Sequence, residues 1–195
     1  MSLLDFIKKS PKAELHLHIE GTLEPEQMFL FAKRNNVKIP FKNIDDVKKA
    51  YNFNNLDSFL KIYYEGAKVL IKEQDFFDLT WAYVLKCKED NIVHTEIFFD
   101  PQTHTDRGIK FDIVINGIYK ALKKAEKEFD LSFKIIMCFL RHLDEKAGFE
   151  ILDQALAHKD KIFGVGLDSS EMGNPPSKFE KLFKKALENQ FITVT

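Results

Sequence analysis

His16 and His18 stand two residues apart in the stretch "KAELHLHIEGTLEP", Lys12 to Pro25, with Glu20 and Gly21 directly behind them. In an extended segment residues i and i+2 share a face, so both imidazoles project to one side while Leu15, Leu17 and Ile19 take the other. Two neutral imidazoles near the end of a strand can reach one cation, and zinc accepts such nitrogens at about 2.0–2.1 Å. The same pair could also be solvent-facing or hydrogen-bonded within a core. Gly21 favours the binding reading, because a glycine after a strand lets the backbone approach a ligand closely.

Of two other readings of this stretch, one fails and the second finds no supporting motif. "HIE" at 18–20 matches the H-x-E of the cytidine-deaminase type of zinc site, in which the glutamate is the general acid and base. That site needs a P-C-x-x-C, which Cys87 and Cys138, in unrelated segments, do not provide. A phosphoesterase that opens with H-x-H on a first barrel strand would need further histidine and carboxylate motifs for its several metals, and none is found here.

Three more places carry reactive side chains. In "GVGLDSSEMGNPP" (164–176) a strand ends at Asp168 and runs into two hydroxyls, a carboxylate, a glycine and two prolines. Loops at the C-terminal ends of parallel strands are where such folds bind ligands. Ser169, Ser170, Glu171 and Gly173 are either ligand contacts or an ordinary turn, while the prolines read as entry to the next helix, capped by Asn174 or Ser177. In "EIFFDPQTHTDRG" (96–108) Asp100 ends a strand and would face the same rim; His104 and Arg107 are expected in a polar loop, with His104 exposed. His142 follows the third strand and is either hydrogen-bonded structure or part of the mouth. His94 and His158 are assigned to packing and surface.

The elements that must position these residues follow from hydrophobic period. Strands are expected near 13–19, 92–99, 131–140, 162–168 and 191–195. "PEQMFLFAKRNN" reads as a helix with Pro25 in its first turn and a stop at Asn35-Asn36. "NNLDSFLKIYYEGAKVLI" reads as a second, with Asp57 as its cap, and "EQDFFDLTWAYVLKCKEDN" as a third, with Phe77, Trp81, Val84 and Leu85 on one face. Further helices are expected at 111–129 (Ile115, Ile118, Leu122 and Ala125 in line), 144–160 and 176–190 (Phe179, Leu182, Phe183 and Leu187 inward). Repeated β-α units with near-continuous apolar strands predict an α/β fold with a parallel sheet covered by helices. Period alone leaves an open doubly wound sheet and the first part of a (β/α)₈ barrel as equal alternatives.

Bulk properties bound the function. With 195 residues, 45% hydrophobic and 30% charged, the chain is globular in composition, and a net charge of −1 gives no reason to expect nucleic acid or a membrane surface as partner. "IIMCFL" at 135–140 is too short to span a bilayer, and "MSLLDFIKKSPKAE" lacks a signal-peptide core. Two cysteines in unrelated segments argue against a disulfide framework; a cytoplasmic setting is expected, with both thiols inert in the core.

Taken together, "PKAELHLHIEGTLEPE", "HIEG", "FFDPQTHT" and "GLDSSEMGNPPSKF" resemble the adenosine/adenine deaminase family, metal-dependent amidohydrolases on a (β/α)₈ TIM-type barrel, and most closely its adenine-acting branch. The similarity runs through the whole sequence in order. It implies the N-terminal part of such a barrel, about five strands with extra helices between strands 1 and 2, as one incomplete domain over 1–195. It implies zinc as cofactor with His16 and His18 as two ligands, and a purine base or nucleoside as partner. By the same resemblance Glu20 stands where the adenosine branch has an aspartate that reaches the ribose, which suits a free base. The loop Asp168, Ser169, Ser170, Glu171 and Gly173 would face the purine, a backbone amide offered to a ring nitrogen. The family's His-Ala-Gly-Glu motif after strand five, its later histidine and its Asp-Asp pair find no counterpart before Thr195. The expectation is therefore a 6-aminopurine deaminase, converting adenine to hypoxanthine and ammonia, whose 195-residue chain is inactive alone and needs a C-terminal half as a separate polypeptide. The alternatives are an adenosine deaminase and a non-catalytic remnant that binds only.

Overall fold

The computed structural model describes residues 2–194. After a short helix α1 (Leu3–Lys9), strand β1 (Lys12–His18) enters a 3-10 turn over Ile19–Thr22, and four helices follow: α2 (Pro25–Asn35), α3 (Ile44–Ala50), α4 (Leu56–Ala67) and α5 (Glu73–Glu89). Then the alternation becomes regular: β2 (Ile92–Phe99), α6 (Pro101–Thr105), α7 (Phe111–Phe129), β3 (Ser132–Leu140), α8 (Glu145–Leu156), β4 (Gly164–Asp168), a 3-10 turn Pro176–Phe179, α9 (Glu180–Glu188) and β5 (Ile192–Thr193).

All four strand pairs are parallel, and the order in space is the order in sequence, β1-β2-β3-β4-β5. Each β-α unit therefore adds its strand to the same edge. A doubly wound sheet would reverse direction at a switch point, so the sequential order selects the barrel arc.

Alternation along the strands sorts side chains into two cores. Ile97 and Phe99 of β2, Ile135, Met137 and Phe139 of β3 and Val165 of β4 point outward and join the large cluster under the helices. Phe98, Ile136 and Cys138 point to the inner, concave side and pack with Val194. Helix α7 presents Ile115, Ile118, Leu122 and Ala125 to the outer core, all fully buried, as its period predicts. It lies close on α5: a Cβ placed on Gly117 would meet the Glu73 carbonyl oxygen at 2.5 Å.

Several expectations shift in detail. Strand β1 stops at His18, because Ile19 begins the 3-10 turn and its buried side chain anchors that turn in the outer core. Leu15 is 57% exposed, since β1 pairs on one side only among the described residues. The cap of α4 is Asn55, whose side chain accepts from the Ser58 amide at 2.9 Å; Asp57 lies in the first turn and accepts from the Ser170 hydroxyl. On α5 the buried face is Phe76, Leu79, Thr80, Tyr83, Val84 and Cys87, while Leu85 stays exposed and Phe77 stacks on Trp81. Leu187 of α9 is exposed, and Ala186 takes the inward position. Neither Asn174 nor Ser177 caps the helix after β4; Pro175 precedes the turn, and the Asn174 side chain ties the loop to itself and to Lys178. Cys87 and Cys138 are both free and buried. No helix among the described residues is long and apolar enough to cross a membrane.

Candidate functional site

The strands end on one rim, and a cavity of about 350 Å³ opens there. Its walls divide by chemistry. Leu17, Leu56, Phe59 and Leu60, with the rings of Tyr63 and Tyr64, make an apolar side; His18, Asp100, Asp168 and Ser169 make a polar end. The apolar side comes largely from one face of α4. The polar end comes from the last residue of β1, the residue after β2, and the end of β4 with the residue that follows it.

His16 and His18 lie side by side on the inner face, ring centroids 5.6 Å apart, both stacked on Phe98. The i, i+2 geometry is as expected. Their surroundings differ, however. His16 is exposed. The Nδ1 of His18 lies 3.5 Å from a carboxylate oxygen of Asp100 and 3.5 Å from one of Asp168. Donor atoms of His18, Cys138 and Asp168 all fall within 4.8 Å of one another.

Electrostatics explain the state of this group. Burial pulls the His18 imidazole down, but bonding and attraction from Asp100 and Asp168 outweigh it and raise its pKa to about 10. Burial and the adjacent Asp100 push the Asp168 carboxyl well up, whereas the contacts of Asp100 with Asp168 and His18 overcome burial and hold Asp100 below its ordinary value. Burial also drives the Cys138 thiol well up. One oxygen of each aspartate, Oδ1 in both cases, is buried with no hydrogen-bond partner. Two carboxylates, imidazoles and a thiol around unpaired acceptors are a donor set that suits zinc, which takes nitrogen, sulfur and oxygen ligands.

Behind the cavity runs a second network, in which the side chains of Glu20 and His104 are fully buried. Glu20 accepts from the Asp100 amide at 3.1 Å and meets His104 Nε2 at 3.0 Å through Oε1; the Tyr63 hydroxyl oxygen lies 3.3 Å from its Oε2. The Tyr63 hydroxyl also lies 2.7 Å from Asp100 Oδ2. Arg107 donates to His104 Nδ1 and to the carbonyls of Ala67, Lys68 and Leu70 at the end of α4. Because a guanidinium has only donors, His104 Nδ1 must accept, so Nε2 carries the proton and donates to Glu20. The expected polar loop at 101–105 is instead a short helix, and His104 is wholly buried rather than exposed. Pro101 at its first position and the pull of Glu20 turn the side chain inward.

The residues singled out from the sequence thus separate. His18, Asp168 and Ser169 line the cavity. Glu20 lies behind its wall with both oxygens engaged. Ser169 adopts a left-handed backbone (φ 75°), and its hydroxyl meets Tyr64 and His142 Nδ1 at 2.8 Å each. Ser170 bonds Asp57; Glu171 points outward to Arg141; Gly173 sits in open space. His94 bonds Ser132, and His158 stacks on Phe111, in keeping with packing and surface roles. Tyr63, Tyr64 and Cys138 were not legible as site residues, since nothing in helical or strand period separates them from core positions.

Comparison with known proteins is consistent throughout. The profile of the adenosine deaminase family, described as "Adenosine deaminase", matches residues 11–195. An adenine deaminase of Psychrobacter cryohalolentis is 63% identical over 189 residues, which cover 97% of this chain and 57% of that protein. One from Wolinella succinogenes is 64% identical over 93% of this chain and 55% of its own length. The chain thus spans a little over half the length of these relatives. The crystal structure of an adenine deaminase from Arthrobacter aurescens superposes with a TM-score of 0.90 at 46% identity, covering 93% of this chain and 55% of the other. A zinc-bound amidohydrolase from Burkholderia ambifaria superposes at 0.85 with 24% identity, a likeness of fold.

Proposed function

This chain belongs to the adenosine deaminase family, and from that premise we propose that it forms the N-terminal part of the barrel of a zinc-dependent adenine deaminase, which turns adenine and water into hypoxanthine and ammonia. The observation that carries the reading is the 63% identity across 97% of the chain to an adenine deaminase. In this reading His16 and His18 would ligate zinc, whose chemistry when bound is to lower the pKa of a water towards about 7.

The chain's own residues supply binding and orientation. Phe59, Tyr63 and Tyr64 offer flat faces to a planar base, and the apolar side of the cavity sheds water around it. Asp100 and Asp168 place carboxyl oxygens at the polar end, where an exocyclic amine or a ring N–H could donate to them. Tyr63 holds its proton on Asp100 Oδ2 and keeps that carboxylate turned toward His18. Glu20 acts from behind: by fixing Tyr63 and the Asp100 backbone it sets the depth of the pocket, and so discriminates a free base from a nucleoside without touching either. The loop from Asp168 to Gly173 contributes Ser169 at the mouth. Turnover needs residues beyond this chain, supplied by a C-terminal part.

The test joins residues 1–195 to the remaining C-terminal part of the Psychrobacter relative and measures ammonia released from adenine with zinc present. Activity is expected, and it should vanish in His18→Ala. A folded hybrid without activity on adenine, or one indifferent to His18→Ala, overturns the reading.

A further inference from the structure

We propose that Arg107 is a positioning residue for the cavity: it holds the end of α4 and the tautomer of His104, and through both the place of Tyr63, so that its loss relaxes the choice between a free purine base and a nucleoside. For its substrates the proposal rests on the deaminase reading above; its mechanics rest on the geometry alone.

Two routes lead from one guanidinium to one ring. In the first, Nη1 donates to the Lys68 carbonyl at 3.0 Å, and Nη2 donates to the carbonyls of Ala67 and Leu70 at 3.2 and 3.1 Å. The last carbonyls of a helix lack intrahelical donors and form the negative end of its dipole, so a cation with five N–H groups suits them. Ala67 lies one helical turn beyond Tyr63 and Tyr64, both on the cavity wall. In the second route Nη2 donates to His104 Nδ1 at 2.9 Å, which leaves the ring proton on Nε2 to face Glu20 Oε1 at 3.0 Å. The same Glu20 oxygen holds the Asp100 amide, and Asp100 Oδ2 accepts from the Tyr63 hydroxyl at 2.7 Å.

Without the guanidinium, His104 Nδ1 can carry the proton instead. A bare Nε2 would then set its lone pair against that of a buried carboxylate oxygen, and the ring or Glu20 must shift. Arg107 is itself exposed, steered by a bond from Nε to the Thr103 carbonyl at 2.9 Å, so its replacement opens no hole in the packed interior. Lysine is no substitute, because one ammonium on a flexible stem cannot span three carbonyls and a ring nitrogen together. Once Tyr63 is loosened, a free base loses a close wall and a ribose gains room.

The test compares Arg107→Met and Arg107→Lys with the unchanged sequence. In the 195-residue chain carrying nitrogen-15-labelled histidine, His104 should show a bare Nδ1 and a protonated Nε2. Arg107→Met should move both signals towards a mixture of tautomers. In the hybrid barrel, Arg107→Met should raise KM for adenine about tenfold, the scale of an outer-shell or misplacement effect, while KM or the inhibition constant for adenosine does not rise. Arg107→Lys should change both readings in the same direction, and it decides the matter should Arg107→Met fail to fold. Lost stability alone would lower kcat for both substrates in proportion and leave both KM values in place. Unmoved nitrogen signals, or adenine and adenosine weakened equally, overturn the proposal. An unchanged-sequence hybrid inactive on adenine counts against the deaminase reading only, and the nitrogen signals then decide the role of Arg107.

Discussion

Replacing His104 by alanine gives a direct measure of the buried network behind the cavity. Both His104 and Glu20 have fully buried side chains, and Glu20 Oε1 has two partners, the Asp100 amide and His104 Nε2. Deleting the imidazole leaves a buried carboxylate oxygen short of a donor, worth about 1–3 kcal/mol. It also removes the acceptor at 2.9 Å from Arg107 and the ring that meets Phe76 edge-on at 4.8 Å. With the void left in a packed interior, the total loss should reach about 3–5 kcal/mol. His104→Gln, whose amide can still donate toward Glu20, should lose no more than about half of that. Urea unfolding checks both, with the midpoint moving and the slope unchanged. A double-mutant cycle with Glu20→Gln should return a coupling of about 1–2 kcal/mol. A loss below about 1 kcal/mol for His104→Ala, in the range of an ordinary surface change, would refute the buried network.

Other variants probe separate contacts. Gly117→Ala should lower the melting temperature: its Cβ would sit 2.5 Å from the Glu73 carbonyl and 2.6 Å from Phe76 Cβ, and overpacking of about 1–3 kcal/mol exceeds the roughly 1 kcal/mol of helix propensity gained. A rise in melting temperature would contradict the close α5–α7 approach. Tyr83→Phe should cost about 1–2 kcal/mol in denaturant unfolding, since the hydroxyl lies 2.6 Å from both Glu14 Oε2 and Thr95 Oγ1; a neutral result would mean those bonds are not made. Ser169→Ala and Ser169→Gly lose the same two hydroxyl bonds, but only glycine relieves the left-handed backbone at φ 75°, so alanine should be less stable than glycine by about 1 kcal/mol in a thermal melt. Equal stabilities would argue against that backbone.

The strands were legible because long apolar runs between polar flanks leave little freedom: "IVHTEIFF", between Asn91 and Asp100-Pro101, and "SFKIIMCFL", between Asp130 and Arg141, became β2 and β3 nearly residue for residue. Period could not tell a barrel arc from a doubly wound sheet, because the two differ only in which edge each strand joins. The short helices α1, α3 and α6 span two turns or fewer, too little to establish a period. At the site, the i, i+2 pair was visible because both imidazoles belong to one strand, and Asp100 and Asp168 because they end strands. The burial of His104 was not, since it depends on Glu20, 84 residues away, and on the carbonyls at the end of α4. Cys138 reads as core from its neighbours, and the pairing of β3 with β4 brings it near Asp168.

Substrate choice is tested most directly by the ratio of kcat/KM for adenine over adenosine in the hybrid that carries residues 1–195. Clear preference for adenine is expected, because Glu20, from behind the wall, fixes Tyr63 and the Asp100 backbone and so limits the depth of the pocket. Equal or greater efficiency on adenosine would contradict it.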